Sequence, residues 1–213
     1  MYINTKPKDF KMKKLTISSV ALIALLALTS CSGGSGDGDT VPDLSNNDTQ
    51  VETPNYVPFP DVVYLDEATK AEYLKVVNDV RSVGRYCGDT WMPPVAPLEW
   101  SDALYRSAYE HSYDMSVSKH YGHDGSGTQS DWTAQVLDLG RGSEAYERME
   151  NNGHEKGLFG ENIVGSMDED DKLGYAMSAW LRSEGHCEIM MNKNFSYIGM
   201  AMVGDYWTQN FGG

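Results

Sequence analysis

The stretch Tyr197-Ile198-Gly199-Met200-Ala201-Met202-Val203 runs with the period of a strand, and both of its alternating faces are apolar or small. Such a strand has no face suited to water, so it belongs to a sheet covered on both sides by helices. Gly204-Asp205 supplies a turn and 206–211 a second extended run, which together predict a hairpin. A third short strand is expected over 162–165. Helices follow from apolar spacing. The first opens near Asp66, carries Tyr73, Val76, Val77, Val80 and Val83 on one face and ends around Gly84. The second is capped by Ser101 and sets Leu104, Ala108, His111 and Met115 on one stripe, which makes His111 a core histidine rather than a ligand. Weaker helical signal covers 131–139 and 143–151. A further helix starts in the acidic run Asp168-Glu169-Asp170-Asp171, which suits a helix amino terminus, and aligns Leu173, Met177 and Trp180. The predicted fold class is α/β, a three-layer α/β/α sandwich.

The first thirty residues stand apart from this body. Lys13-Lys14 precedes an apolar run over 17–28 that ends in Leu28-Thr29-Ser30-Cys31, the pattern of an export signal, and the run is short for a membrane span. This places the start of translation at Met12. The ending resembles a bacterial lipobox, which makes Cys31 the lipidated residue and the membrane a partner through an N-terminal lipid anchor; the alternative is an ordinary secretory signal with an incidental cysteine. Residues 31–60 are rich in Gly, Ser, Asp, Asn, Thr and Pro, too poor in apolar side chains to offset ordering, and read as a flexible tether with a reach of roughly 30 Å. The folded domain is expected over 61–213. The location implied is the cell envelope, on the outer-membrane or periplasmic face.

With Cys31 acylated, two cysteines remain, Cys87 and Cys187, and an even remainder in an exported chain suggests one disulfide, against the alternative of two buried thiols. Removing the five lysines and one aspartate of residues 1–30 from 17 basic and 31 acidic side chains leaves 12 against 30, a net charge of −18. Such a surface repels nucleic acid and anionic headgroups and offers no basic patch for phosphates.

Two strings carry the candidate chemistry: Gly160-Glu161-Asn162-Ile163 and Ser183-Glu184-Gly185-His186-Cys187. They set a carboxylate and an imidazole, each beside a glycine, at the two ends of one strand–helix unit. A glutamate in an apolar strand is costly to bury unpaired, and an imidazolium or a metal would resolve that cost. Together with Pro97-Leu98-Glu99-Trp100, His123-Asp124-Gly125-Ser126-Gly127, Trp180 and the tail Tyr206-Trp207-Thr208-Gln209-Asn210-Phe211-Gly212, these strings resemble the CAP superfamily of cysteine-rich secretory, antigen-five and pathogenesis-related proteins, in its bacterial SCP-domain branch. The resemblance spans about residues 66–213. It implies a small central antiparallel sheet and an open cleft lined by two histidines and two acidic residues. Carried over by position, His123 and His186 are the histidines and Glu161 the first acid. Glu184 takes the fourth place one residue late, with helical phase from Leu173, Met177 and Trp180 as its support.

Two imidazoles and a carboxylate are a feasible shell for a divalent metal such as zinc, at His123 and His186; a hydrogen-bond network that only pins loops is the alternative. No nucleotide loop, nucleophile elbow or cysteine-nucleophile signature is present, so no catalytic residue is assigned. The reading is a non-enzymatic envelope domain that binds a small apolar molecule or lipid, a divalent cation or a protein partner at its cleft. A metal-assisted hydrolase using the same cleft and a structural or adhesive surface lipoprotein are the alternatives.

Overall fold

Twelve short elements follow one another over the 56–165 and 170–213 segments described by the computed structural model: α1 (Glu67–Arg81), β1 (Arg85–Cys87), β2 (Thr90–Met92), β3 (Glu99–Trp100), α2 (Asp102–Ser118), α3 (Trp132–Val136), α4 (Ala145–Asn151), β4 (Phe159–Val164), α5 (Lys172–Arg182), α6 (Glu184–Met190), β5 (Tyr197–Val203) and β6 (Tyr206–Gly212). The export signal, Cys31, the tether up to residue 55 and the acidic pair Asp168-Glu169 lie outside the described residues.

The strand order is β3-β5-β6-β4. β4, β6 and β5 pair antiparallel as a meander-like core, and β3 adds to β5 in parallel, so the expected antiparallel sheet is mixed at one edge. β3 is two residues long and has no alternation to read, which is why it escapes a periodicity argument. A separate hairpin of β1 and β2 was likewise not foreseen. It is tied to α6 by a disulfide between Cys87 and Cys187, both fully buried, whose Cα atoms are 5.4 Å apart.

The two apolar faces of β5 are covered as its composition requires. On one side Ile198 and Met200, with Trp207 and Phe211 of β6, pack against Val77 of α1, Ala176, Met177 and Trp180 of α5 and Met190 of α6. Each of these large side chains contributes about 1.5–3 kcal/mol by leaving water. On the other side Ala201 meets Tyr105 and Ala108 of α2. Gly199 faces α2 so closely that a Cβ there would overlap the Tyr105 nitrogen. That second face is partly polar: Ser112 Oγ donates to Thr208 Oγ1 at 2.9 Å, and Ser107 bonds the Asn210 amide at 2.9 Å.

Caps set the helix limits. Asp66, Ser101, Asp131 and Asp171 each accept a main-chain N–H of the first turn of α1, α2, α3 and α5. α1 ends at Arg81, two residues before Val83, which is exposed instead of packed. The buried end of that face is the Arg81 guanidinium, which donates to the carbonyls of Ala96 (2.9 Å), Met190 (2.7 Å) and Asn192 (3.1 Å) and so holds α1 to the end of α6. The packed chain begins before Asp61. Val57 exchanges two hydrogen bonds with the Asn151 side chain (3.0 and 2.8 Å), and Phe59 is buried with its N–H on Asn152 Oδ1 at 3.0 Å. The tether boundary drawn at residue 60 therefore moves upstream by at least three residues.

Candidate functional site

The β4–β6 register sets Glu161 opposite Asn210 and Asn162 opposite Gln209. Successive strand residues point to opposite faces, so Glu161 enters the polar layer between the sheet, α2 and α4. Its carboxylate is almost fully buried and fully engaged. Oε1 accepts from His123 Nδ1 at 3.0 Å and lies 3.8 Å from His111 Nε2, while Oε2 accepts from Arg148 Nη2 at 2.9 Å. The Asn210 amide, oriented with its nitrogen toward the carboxylate, donates to Oε2 at 3.1 Å while its oxygen accepts from Ser107 Oγ.

These contacts decide which groups are charged. Burial alone would raise Glu161, but the Arg148 charge, followed by His111 and the His123 hydrogen bond, brings it down to about 2. His123 is raised above the ordinary histidine value, first by its bond to Glu161, with partial burial opposing. His111 is fully buried; desolvation and then Arg148 pull it down to about 4, so it is neutral at pH 7. Its Nε2–H donates to the Gly122 carbonyl at 2.9 Å, the role of a core histidine that the helix stripe predicts. With Nδ1 committed to Glu161 and its side chain 57% exposed, His123 keeps Nε2 free for a ligand.

The loop that presents His123 is held by two buried aspartates that the sequence did not single out. Asp114 accepts from Ser126 N (2.7 Å), Ser126 Oγ (2.6 Å) and Ser130 Oγ (2.5 Å). Asp131 accepts from Gly127 N (3.0 Å) and from Ser143 N and Oγ (2.9 and 2.6 Å). At the crossing of the two loops Gly142 lies directly over the Gly125 carbonyl, where no Cβ fits. Arg148 completes the frame by donating to the His123 carbonyl at 2.8 Å and to that of Ser143 at 2.7 Å.

The residues of the second string part company. α5 stops at Arg182, Ser183 is extended (φ −92°, ψ 123°), and α6 restarts at Glu184. The restart breaks the phase that would have carried Glu184 inward. Its carboxylate is exposed and rests against Gly88 of the β1–β2 turn, about 2.5 Å from where a Cβ would sit. It does not join His123 and Glu161. His186 is half-buried; its carbonyl accepts from Asn162 Nδ2 at 3.2 Å, on the side of β4 opposite the Glu161 carboxylate. Partial burial and then the neighbouring charge of His123 hold it below the ordinary histidine value.

The edge of β4 borders a cleft of about 780 Å³. Residues 158–161 line it together with His123, Asp124, Arg141, Glu144 and Tyr146, and with Ile189 and Phe195, which face Gly160 on the side of β4 opposite the Glu161–His123 bond. His186 is not part of this lining. A smaller concavity of about 480 Å³ lies beyond Tyr146 and contains none of the predicted site residues.

The sequence pattern of the CAP family, described as the cysteine-rich secretory protein family, matches residues 74–211, well over half of the chain. The chain belongs to the CAP family. Its match to the uncharacterized protein YkwD of Bacillus subtilis strain 168 is 30% identical over 117 residues, 54% of this chain and 39% of that protein. A second protein of that organism, the uncharacterized membrane protein YlbC, matches at 27% over 117 residues, 55% of this chain and 29% of its own. The chain thus spans well under half the length of these relatives. Among solved structures, an extracellular SCP-domain protein of Bacillus anthracis superposes with a TM-score of 0.51 at 22% identity, over 71% of this chain and 45% of the other. An outer surface protein of Borrelia burgdorferi gives 0.50 at 17%, over 70% and 95%. At these identities the likeness speaks for the fold alone.

Within this CAP domain the donors do not fit a resident zinc. Glu161 is consumed by Arg148 and His123, Glu184 lies elsewhere, and among the described residues no three His, Cys, Asp or Glu side chains cluster as ligands. What remains is His123 Nε2 and His186, two imidazoles where a zinc site takes three or four protein ligands.

Proposed function

We propose that this chain is an exported CAP-domain protein of a bacterial cell envelope that binds a ligand in the cleft beside His123 and does not transform it. The observation that carries this reading is the engagement of Glu161, both of whose oxygens are taken by His123, Arg148 and Asn210. A carboxylate so held and so buried serves to orient an imidazole and to balance a guanidinium rather than to meet a water as a general base does. Among the described residues no serine, threonine or cysteine lines the cleft. The cleft instead combines one exposed imidazole with Tyr146, Phe159, Ile189 and Phe195, the mix of a few polar groups and apolar walls found in binding sites.

Export draws on the apolar run ending at Cys31 and on the descriptions of two structural neighbours as extracellular and outer-surface proteins. Lipid anchoring at Cys31 belongs to the same proposal: a fatty-acid probe is expected to label the cell-expressed protein and to be lost in Cys31→Ser, and labelling unchanged by that substitution contradicts it. The binding reading is tested by native mass spectrometry with elemental analysis on the domain purified from the envelope fraction. A co-purified ligand that is lost in His123→Ala, without stoichiometric metal, is expected. Stoichiometric zinc that is lost in His186→Ala would instead establish the metal-assisted hydrolase as the better account.

A further inference from the structure

The last strand of the sheet order, β4, is paired among the described residues only on its β6 side. Gly213 N–H donates to the Leu158 carbonyl at 3.1 Å, and the Gly212 carbonyl accepts from Ser196 N–H, on the β5 side, at 2.8 Å. In an antiparallel ladder the main-chain groups of successive residues point alternately to the two sides. Leu158 and Gly160 therefore turn theirs to β6, and Phe159 and Glu161 turn theirs outward. The outward side is the cleft, which 158–161 line. A free edge of this kind is a template for another strand, and folded proteins ordinarily cover or distort it; here it is reachable at Phe159, which is exposed in the cleft, while 160–163 are buried.

We propose that the cleft takes an extended peptide as an added strand on β4, with an apolar residue against Ile189 and Phe195 and a basic residue toward Asp124 and Glu144. The proposal rests on the binding reading above and names its ligand. The two walls lie on opposite faces of β4. Gly160 is on the Phe195 side, where a Cβ would come within 2.8 Å of the Phe195 ring, while Glu161 and His123 are on the other. The side chains of an added strand alternate between the same two faces, so one set meets the apolar wall and the next the polar one. On the polar wall the Asp124 carboxylate is 68% exposed and its ion partner among the described residues is a histidine, His120, at 3.5 Å. Glu144 has no ion partner among them; Arg141, which lines the same cleft, is bonded to Glu147 instead (2.9 and 2.6 Å), and the chain as a whole carries a net charge of −14. A basic side chain answers both. Main-chain pairing supplies affinity and the two walls supply selectivity, the division of labour of strand addition at other sheet edges.

The test is calorimetry and amide NMR on the whole domain with acetylated hexapeptides alternating valine and lysine, in both registers. One methyl group is placed in turn on each peptide nitrogen. Methylation at every second position is expected to weaken binding about tenfold, the scale of one hydrogen bond, and at the intervening positions to leave it nearly unchanged. Phe159→Pro, which removes an outward N–H and leaves the 158 and 160 bonds to β6, is expected to bind about tenfold more weakly than Phe159→Ala, which loses the same ring but keeps that N–H. If the proline variant fails to fold, the methyl scan on the unaltered domain decides alone. Binding that perturbs His123 and Phe195 without the alternating pattern overturns strand addition and leaves the cleft reading standing. Binding that perturbs neither, or a cleft filled by a fatty acid or a second copy of the chain while every peptide is refused, overturns the proposal.

Discussion

Glu161 is the residue on which the site turns. It is a buried anion shared by a buried guanidinium and an exposed imidazole, so its neutral substitute leaves Arg148 uncompensated. Removing one partner of such a pair costs about 3–5 kcal/mol, and Glu161→Gln is expected to lower stability by that amount in urea unfolding. The same variant is expected to drop the His123 titration, which Glu161 holds up, in a histidine-resolved NMR titration. Acid sensitivity has a definite sign. Glu161, lowered to about 2 from 4.5, contributes stability above its unfolded value that is lost as pH falls toward 2. His111, lowered to about 4 from 6.5, costs stability as pH falls through that window, because the unfolded chain takes up the proton first. The raised His123 runs the other way, stabilising below 6.5 and fading as pH rises through its folded value. Urea midpoints are expected to fall between pH 6.5 and 4, and His111→Gln, which keeps a donor for Gly122, is expected to flatten that slope. His123 and Glu161 are legible in the sequence because glycines flank them in short, unusual strings. Arg148, Asp114 and Asp131 are not: a single charge within a helix or at its start reads as a solvated face or a cap, and only the fold shows it buried.

At the level of elements, local signals decide how far the sequence can be followed. Ser101, Asp66 and Asp171 are cap residues at the starts of regular helices, and those helices are where their spacing places them. Glu184 is misplaced by the opposite circumstance: the only signal at the break is Ser183, a cap-type residue whose side chain makes no cap bond, and it stands inside an apolar stripe that reads as one continuous helix. The β1–β2 hairpin has strands of three residues, too short for alternation, and is held to α6 by the Cys87–Cys187 bridge. For a loop of this length the chain-entropy model gives about 4.7 kcal/mol, so the Cys87→Ala, Cys187→Ala pair is expected to lose up to that much by denaturant titration, with hairpin amides exchanging first. Gly199 makes the complementary case for close approach. Gly199→Val is expected to destabilise by about 1–3 kcal/mol as α2 is pushed off the sheet, visible as a lowered melting temperature with unchanged helix content at low temperature.

For the molecule as a whole, the doubly apolar β5 requires two covered faces, and the two coverings differ in kind. The face under α1, α5 and α6 is an apolar core, whereas the face under α2 and α4 is a network of buried charges and amides that positions one loop. That division explains why the sandwich architecture is readable from the chain while the ligand is not: apolar periodicity reports the first face and nothing periodic reports the second, and the family is carried instead by the short strings around His123, Glu161 and His186. The central claim is that this second face builds a cleft for binding without turnover. Mass spectrometry of a mixed pool of synthetic peptides, before and after incubation with the domain, tests it most directly. The account predicts that a subset is retained intact by the native domain and released by His123→Ala. New peptide termini generated by the native domain and absent with His123→Ala would contradict it.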